Sequence, residues 1–409
     1  MEKSNQKKPK LVFILLYIAF IICFIDRSAI SIALSYIGND FHLDATKLGI
    51  VSSAFFFSYS LMQIPGGWLA DKFGSKLTVV VAILMWSLFT ILTGFAWSLA
   101  SLLVIRILFG IGEGAYLSAS LKQISEEFSF KARSEATSAI ISSNYAGAAI
   151  APVIIAPIIA SLGWRVAFHL MGILGLIFVV IYYLALRPIR QKRAAAAGTA
   201  KRINWKASLL NPVVWQFFLV VLGLSVITKG LDSWMPTYLL RARHINLAGI
   251  AWLVPLPSIS AGAAALLTGY LMVHFFKQKE KWLIAVSCLL ATIFMFGMYK
   301  STSLSNVIIF EVLTYFFKGL AFSGCFALFA QLVTGEAYGS AVGIVNFGGQ
   351  LAGFLAPIII GALVEHFNNS YSAAFLFLVI CAAFSFVISL TFNAEELQKN
   401  QQRVINENK

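Results

Sequence analysis

The chain has 409 residues, of which 59% are hydrophobic and only 12% are charged, and its formal net charge is +14. Soluble domains carry roughly 25% charged residues, so this composition excludes an ordinary soluble protein and predicts one that lies mostly in a lipid bilayer. The basic excess does not predict nucleic-acid binding, because most Lys and Arg residues cluster in alternate connections between apolar segments.

Twelve mainly apolar segments are long enough to cross a bilayer, which takes about 20 such residues per helix. In chain order they lie at 11–36, 47–70, 77–98, 100–121, 133–161, 164–187, 210–240, 246–276, 281–300, 304–332, 336–366 and 371–393. The first segment is too long for a signal peptide and carries charges at its centre, so we interpret it as a span. The predicted fold class is an all-α membrane protein with 12 transmembrane helices.

The distribution of basic residues predicts the orientation. If the N-terminus is inside, 22 of the 31 Lys and Arg residues lie in inside segments and five in outside loops. This asymmetry follows the positive-inside rule and predicts that both termini are cytoplasmic. Short outside loops favour a multi-pass protein of a bacterial inner (plasma) membrane. The four cysteines all fall within spans and lack metal-ligand spacing, so we expect no metal site.

A polar connection in mid-chain divides the spans into six and six. We predict an N-terminal half at 1–187, a cytoplasmic linker at 188–209, a C-terminal half at 210–393 and a cytoplasmic tail at 394–409. The halves resemble each other: Gly67 and Gly269 are 202 positions apart in similar segments, and Pro152 and Pro357 are 205 apart. Repeated six-helix halves are typical of secondary transporters.

The segment "GGWLADKFGSK", which begins at Gly66 and ends the second span, resembles the loop 2–3 signature of the major facilitator superfamily. In that family the charges of this loop contact neighbouring helix ends and influence the inward/outward equilibrium. The resemblance therefore implies a conformational role, and no substrate contact, for a loop made of Gly67, Asp71, Lys72, Gly74 and Lys76.

Further segments, among them "FIDRSAISIAL", "RILFGIGEGA", "SSNYAG" and "IVNFGGQLAGFLAP", resemble the anion:cation symporter branch of that superfamily. This branch includes galactonate- and hexuronate-type carriers of organic anions. The resemblance covers nearly the whole chain and is stronger in the first half. It implies the major facilitator fold, with spans 1, 4, 7 and 10 around a central cavity.

Ionisable residues within the spans are candidate functional groups, because each is costly in hydrocarbon. They occur in spans 1, 4, 7 and 10, as Asp26 and Arg27, Arg106 and Glu113, Lys229 and Asp232, and Glu311 and Lys318. The alternative is that they form ion pairs that only hold helices together. Lys229 and Asp232, three residues apart on one helix, are spaced for such a pair.

The cations predict anion binding and the acids predict proton binding. We expect Arg27 to bind a substrate carboxylate, because a guanidinium offers two parallel donors and stays charged when desolvated. Lys229 and Lys318 could contact further oxygens of the substrate. Asp26 and Glu113 are candidate proton sites; the resemblance implies that Glu113 couples to substrate, that Asp26 is the second site and that Arg106 regulates them.

Neutral polar residues in the spans complete a predicted substrate pocket. They are Tyr59 and Gln63 in span 2, Asn144 in span 5, and Asn346 and Gln350 in span 11. The resemblance places Tyr59 and Asn144 where the family binds substrate, although the family often has Gln in place of Asn144. An interhelical hydrogen bond is the equally common alternative for such residues.

We therefore expect a secondary active transporter that carries an organic anion with protons by alternating access. The anion would be a sugar acid or another carboxylate, including a polycarboxylate. Protons would be the coupling ion without any cofactor, and the protein would be a monomer whose other partner is the bilayer. One alternative is an organophosphate exchanger with Arg27 and Lys229 as paired phosphate anchors; another is a non-transporting sensor. No nucleophile–base or metal-ligand pattern predicts an enzyme.

Overall fold

The computed structural model describes residues 2–128, 130–186, 209–332 and 338–392, and in these ranges the regular structure is helical. It contains fourteen helices within those ranges, as follows: α1 Glu2–Asp40, α2 Ala45–Phe73, α3 Ser75–Gly94, α4 Leu99–Gly114, α5 Tyr116–Glu127, α6 Phe130–Leu162, α7 Trp164–Leu186, α8 Pro212–Arg241, α9 Leu247–Leu253, α10 Pro255–His274, α11 Glu280–Lys300, α12 Leu304–Leu332, α13 Tyr338–His366 and α14 Ser372–Leu390.

These helices confirm the predicted fold class. In the described part of the chain, eleven helical segments are long and apolar enough to cross a membrane, and the bent helix α2 brings the number to twelve. The two parts of α2, Ala45–Gln63 and Pro65–Phe73, meet at an angle of 50°. Pro65 has no N–H to donate to the preceding turn, which accounts for the bend.

Two predicted spans are each built from two helices. Span 4 comprises α4 and α5, separated at Ala115, and it continues to Glu127, beyond the predicted end at residue 121. Span 8 comprises α9 and α10, which are separated at Val254 because Pro255 cannot donate a helical hydrogen bond. The predicted start of span 11 at 336, most of the linker and the whole of the predicted tail lie outside the described residues.

The chain forms two compact units. The N-terminal unit contains Met1–Ala196 and Trp234–Pro255, and the C-terminal unit contains Ala197–Ser233 and Leu256–Lys409. In the N-terminal unit α1 packs against α6 and α7, α2 against α4, and α3 against α4 and α7. In the C-terminal unit α11 packs against α12 and α14. The predicted boundaries at 187, 209 and 393 stay predictions, as does the orientation of the termini.

The same lysine contact recurs in both units. Lys76, near the start of α3, donates to the carbonyl oxygen of Leu186 at the end of α7. Lys281, near the start of α11, donates to the carbonyl oxygen of Phe392 just after α14, at 2.6 Å. The two lysines are 205 positions apart, and each satisfies a carbonyl at the negative end of a helix. The internal repeat is thus visible in the structure, because in each half an equivalent lysine binds the end of the last span.

Gly110 allows α4 to approach α2 closely. A Cβ atom at this position would lie 2.6 Å from the carbonyl oxygen of Phe55 and would also collide with the Ser58 hydroxyl. Such small-residue contacts are typical of tightly packed membrane helices. The same contact borders the candidate site described below, which joins α1 to α4 beside α2.

We predict that Gly110→Val lowers the thermal stability of the protein, because overpacking a close helix contact costs about 1–3 kcal/mol. Gly269→Val is the matched control, since nothing lies within 4 Å of a Cβ at that position. The measurement is the unfolding midpoint in detergent. Equal midpoints for Gly110→Val and the wild type would show that the contact is not a packing constraint.

Candidate functional site

The centre of the N-terminal unit is an ion pair between α1 and α4. The Nη2 atom of Arg27 donates to Oε1 of Glu113, and only 13% of the Arg27 side chain and 2% of the Glu113 side chain are exposed. Among the described residues, Nε of Arg27 and Oε2 of Glu113 have no hydrogen-bond partner. The predicted anion anchor and the predicted coupling acid therefore bind each other and keep unused hydrogen-bonding capacity.

Aromatic rings surround the guanidinium group of Arg27. Its Cζ atom lies 4.5 Å from the ring centroid of Phe24 and 4.8 Å from those of Phe55 and Tyr59. Ring faces attract cations, and more strongly where water is excluded. The rings thus help the apolar interior to accommodate a charged arginine and limit its movement.

Asp26, the chain neighbour of Arg27, has a different partner. Its side chain is buried, Oδ2 accepts a hydrogen bond from Oγ1 of Thr90 on α3 at 3.4 Å, and Oδ1 has no partner among the described residues. Arg106 on α4 is also buried, with its guanidinium 4.7 Å from the ring centroid of Phe109. Asp26, Arg106 and Glu113 act on one another electrostatically, so the three form one charge cluster with Arg27.

Two of the predicted neutral residues lie beside this cluster. Tyr59 is buried and its ring faces Arg27; Gln63 follows one turn later on α2.

Asn144 lies on α6, which packs closely against α1. The close approach is shown by Gly147, where a Cβ would lie only 2.5 Å from Cβ of Phe24. The Oδ1 atom of Asn144 is buried without a hydrogen-bond partner in the described part of the chain. It is therefore a free acceptor on a helix adjacent to Arg27.

The loop between α2 and α3 connects two helix ends, as the resemblance implies. Asp71 forms an ion pair with Lys122 on α5 at 2.8 Å, and Lys122 also donates to the carbonyl oxygen of Ala70 at 2.9 Å.

The other predicted residues of this loop have separate surroundings. Gly74 has φ +93°, a conformation that favours glycine, and makes the turn into α3. Lys76 binds the end of α7, whereas Lys72 lies over the rings of Trp68 and Phe73. Gly67 is half-buried on α2, where a Cβ would lie 4.0 Å from Cβ of Ser118.

The C-terminal unit holds a second charge cluster. The hydroxyl group of Tyr315 on α12 donates to Oδ1 of Asp232 on α8 at 2.7 Å. Lys229 and Lys318 both act electrostatically on Asp232, and the ammonium group of Lys318 lies 4.4 Å from the ring centroid of Phe322. The cations and acids of spans 7 and 10 are therefore neighbours in the fold.

The remaining predicted residues lie on α13. Asn346 and Gln350 are one turn apart and half-buried. Gly348, between them in sequence, packs against α8, where a Cβ would lie 3.0 Å from the carbonyl oxygen of Phe218. The Oε1 atom of Gln350 is buried without a partner among the described residues. These side chains stay predicted substrate contacts.

The sequence alone did not reveal three residues that bind the predicted ones. Thr90, Tyr315 and Lys122 are the partners of Asp26, Asp232 and Asp71, respectively. Tyr315 had a detectable signal, since it lies four residues after Glu311 and three before Lys318 on one helical face. Thr90 had none, because its contact with Asp26 joins positions 64 residues apart.

The fold and the buried charges define a polytopic helical protein of the transporter class. A sequence model described as the Major Facilitator Superfamily matches residues 16–310 and 280–407. The chain belongs to the major facilitator superfamily, whose members are transporters and not enzymes.

Similar proteins cover nearly the whole chain. A hexuronate transporter of Bacillus subtilis is 27% identical over 95% of this chain and 95% of its own length. A probable sulfoacetate transporter of Cupriavidus necator is 29% identical over 91% of both chains, and a probable galactarate/D-glucarate transporter of Escherichia coli is 26% identical over 97% of both. The structure of a bacterial homologue of the human lysosomal transporter Spinster has a TM-score of 0.82 at 20% identity, covering 94% of this chain and 97% of that one, and shares the fold.

We predict that breaking the Arg27–Glu113 pair on one side costs more stability than removing both charges. Glu113→Leu leaves the arginine charged and unpaired in the interior, at a cost of about 3 kcal/mol, whereas a pair of well-packed apolar residues is often tolerated. The Arg27→Leu/Glu113→Leu double variant should therefore unfold at a higher temperature than Glu113→Leu.

The control is the Asp44–Lys47 pair, whose side chains are 34% and 47% exposed. Lys47→Ala should change stability by less than about 1 kcal/mol, since exposed pairs contribute little. If the double variant were as unstable as the sum of the two single variants, the charges would not be coupled in the folded protein.

Proposed function

We propose that the protein is a secondary active transporter that carries a small organic anion together with protons, by alternating access. Protons are the coupling ion and no cofactor takes part. The protein works as a monomer in a bacterial inner membrane, with both termini in the cytoplasm. The Arg27–Glu113 ion pair is the observation that carries this proposal.

In this arrangement Arg27 is the cation for which the Glu113 carboxylate and a substrate carboxylate would compete. A substrate carboxylate and the Glu113 carboxylate both need the donors of Arg27, and Glu113 uses Nη2. A proton on Glu113 removes its negative charge and so makes Arg27 available to the substrate. By thermodynamic linkage, substrate on Arg27 equally favours a proton on Glu113. Such reciprocal binding is what a proton-coupled anion carrier requires.

Asp26 and Arg106 give the cluster a second proton site and a regulating charge. Asp26 is buried, and its hydrogen bond to Thr90 leaves one carboxylate oxygen without a partner among the described residues. A carboxyl group in an apolar interior is stable either with a proton or with a neighbouring cation. Arg106 is such a cation, so its position influences whether Asp26 or Glu113 carries the proton.

The names of the relatives support an organic anion as the substrate class. Hexuronate, sulfoacetate, galactarate and D-glucarate are small anions with carboxylate or sulfonate groups. Their binding would use the cationic and polar groups described above, with Arg27 as the principal anchor and Tyr59 and Asn144 as nearby hydrogen-bonding groups.

We predict that Glu113→Gln abolishes accumulation driven by a proton gradient, because glutamine is neutral at every pH and cannot carry the proton. The measurement is uptake into proteoliposomes with an inward proton gradient. The probes are D-glucuronate, D-galactonate, galactarate, D-glucarate, sulfoacetate and glycerol 3-phosphate. We expect the wild type to accumulate at least one carboxylate probe and Glu113→Gln to retain only counterflow.

Glu280→Gln is the control, since Glu280 lies at the start of α11 and outside both charge clusters. Full gradient-driven uptake by Glu113→Gln would contradict the coupling role. Wild-type counterflow of glycerol 3-phosphate without any proton dependence would instead support the exchanger, and no uptake of any probe would support a non-transporting protein.

We predict that Arg27→Lys weakens binding of the transported anion about 10-fold, because an ammonium group cannot form the two parallel hydrogen bonds of a guanidinium. Ligand-induced thermal stabilisation of the purified protein measures this effect. Arg165→Lys is the control, since Arg165 pairs with the exposed Asp40 outside the cluster. Equal stabilisation of wild type and Arg27→Lys would exclude Arg27 as the anchor.

A further inference from the structure

Thr90 on α3 uses its hydroxyl group in an unusual way for this protein. The ordinary arrangement of a threonine in a helix is a hydrogen bond to a carbonyl oxygen of the preceding turn. Here that bond is made to the carbonyl four residues earlier, at 2.7–2.8 Å, by Thr93, Thr268, Thr292 and Thr314. The Thr90 hydroxyl instead donates to Oδ2 of Asp26 on α1.

The contact between Thr90 and Asp26 lies in the interior of the N-terminal unit. The exposed fraction is 2% for Thr90 and 1% for Asp26, so water has little access to either group. The two oxygen atoms are 3.4 Å apart, whereas a hydroxyl donor is typically about 2.7–2.8 Å from its acceptor. A small displacement of α3 relative to α1 is therefore enough to make or break this bond.

The Thr90 hydroxyl has two acceptors within its reach. One is Asp26, and the other is the carbonyl oxygen of Trp86, four residues earlier on α3, because the side chain of a helical threonine adopts either of two rotamers. A hydroxyl donates a single hydrogen. An ionised carboxylate is the stronger acceptor, whereas a protonated Asp26 is itself a donor and leaves Thr90 free to return to its own helix.

The charged and titratable neighbours of Asp26 come from α4 and from α1 itself. Glu113 and Arg106 on α4 act on Asp26 electrostatically and carry opposite charges. Cys23, one turn before Asp26 on α1, is a neutral thiol that also interacts with it. These groups act through space, so none of them takes the place of a hydrogen-bond donor.

The other helices packed against this region contribute neutral donors or a distant titratable group. On α6, Asn144 is neutral. On α7, the ring of His169 packs against Gly94, one turn beyond Thr90. Among the described residues, the hydrogen-bond donor that Asp26 has is Thr90, and Oδ1 of Asp26 is without a partner. The hydrogen bonding of Asp26 in this structure therefore depends on one hydroxyl group.

We propose that Thr90 is a positioning residue for the proton site at Asp26, and that its hydroxyl binds the ionised carboxylate and releases the protonated one. This inference rests on the proposed function and adds a regulating residue to its second proton site. Because the bond joins α3 to α1, proton binding at Asp26 changes the contact between these two helices. Removal of the hydroxyl should strengthen proton binding at Asp26, since the ionised form loses its donor.

Infrared difference spectroscopy of the purified protein measures the protonation of Asp26 without any transport step. The C=O band of protonated carboxyl groups is followed as the pH rises, and Asp26→Asn identifies the part that belongs to Asp26. His169 and Cys23 have no carboxyl group and do not contribute. Thr90→Val keeps the shape of the side chain without the hydroxyl. It should move the midpoint of the Asp26 band upward by about one pH unit, a tenfold change in proton affinity, because a hydrogen bond to a charged group is lost.

Three further variants control for folding and for the loss of any hydroxyl from α3. Thr90→Ser keeps the hydroxyl and should have the wild-type midpoint. Thr90→Ala also lacks it and should give the same shift as Thr90→Val, so it replaces Thr90→Val if thermal unfolding shows that variant to be misfolded. Thr93→Val removes a buried hydroxyl that binds the carbonyl oxygen of Phe89 and should leave the Asp26 midpoint unchanged.

The outcomes separate this inference from the proposed function. An unchanged Asp26 midpoint in the folded variants without the Thr90 hydroxyl would overturn it. So would an equal shift in Thr90→Ser or in Thr93→Val, because the effect would then not depend on the Thr90 hydroxyl. A wild type without an Asp26 band at any pH would overturn both this inference and the second proton site. Failure of the wild type to transport the probes would count against the proposed function alone, since the infrared midpoint requires no substrate.

Discussion

The ion pair between Arg27 and Glu113 is the constraint on which the N-terminal unit depends. A charge in the apolar interior is stable only with a partner, and these two residues, 86 positions apart, are each other's partner. Their contact requires α1 and α4 to be neighbours. Close packing at Gly110 and Gly147 holds α2 and α6 beside them, and ring faces around the guanidinium complete its surroundings. The fold of this unit thus offsets both buried charges internally.

The two units keep one packing plan but differ in their charges. Lys76 and Lys281 close the last helix of each unit in the same way, which shows that the repeat is structural. Lys318 and Glu311 lie 205 positions after Glu113 and Arg106, the same offset as between Lys76 and Lys281, so the sign of both charges is reversed in the second unit. Helix packing depends on shape and small residues, whereas a buried charge depends on the partner that offsets it. The repeat could therefore diverge in chemistry while conserving its fold.

The loop after α2 shows the same divergence outside the clusters. In the N-terminal unit Asp71 binds Lys122, which links the end of α2 to α5. At the corresponding place in the C-terminal unit Val273 stands where an aspartate would be needed. An exposed ion pair of this kind contributes little to stability, so the structure gives Asp71 a contact and its conformational role stays a prediction. Among the described residues, Val273 therefore cannot form the equivalent ion pair.

The sequence by itself determined the spans, the superfamily and the identity of the membrane charges, because hydropathy and motifs are local properties of the chain. It also identified Arg27 and Glu113 as functional candidates. Only the tertiary structure decided which charges meet: Arg27 with Glu113, Asp26 with Thr90, and Asp232 with Tyr315. It also decided that spans 4 and 8 are interrupted at Ala115 and Val254 and that α2 bends before Pro65. Which side chains meet across tens of residues depends on how the helices pack and on the free-energy cost of each unpaired buried charge. Neither can be inferred from a single segment of the sequence.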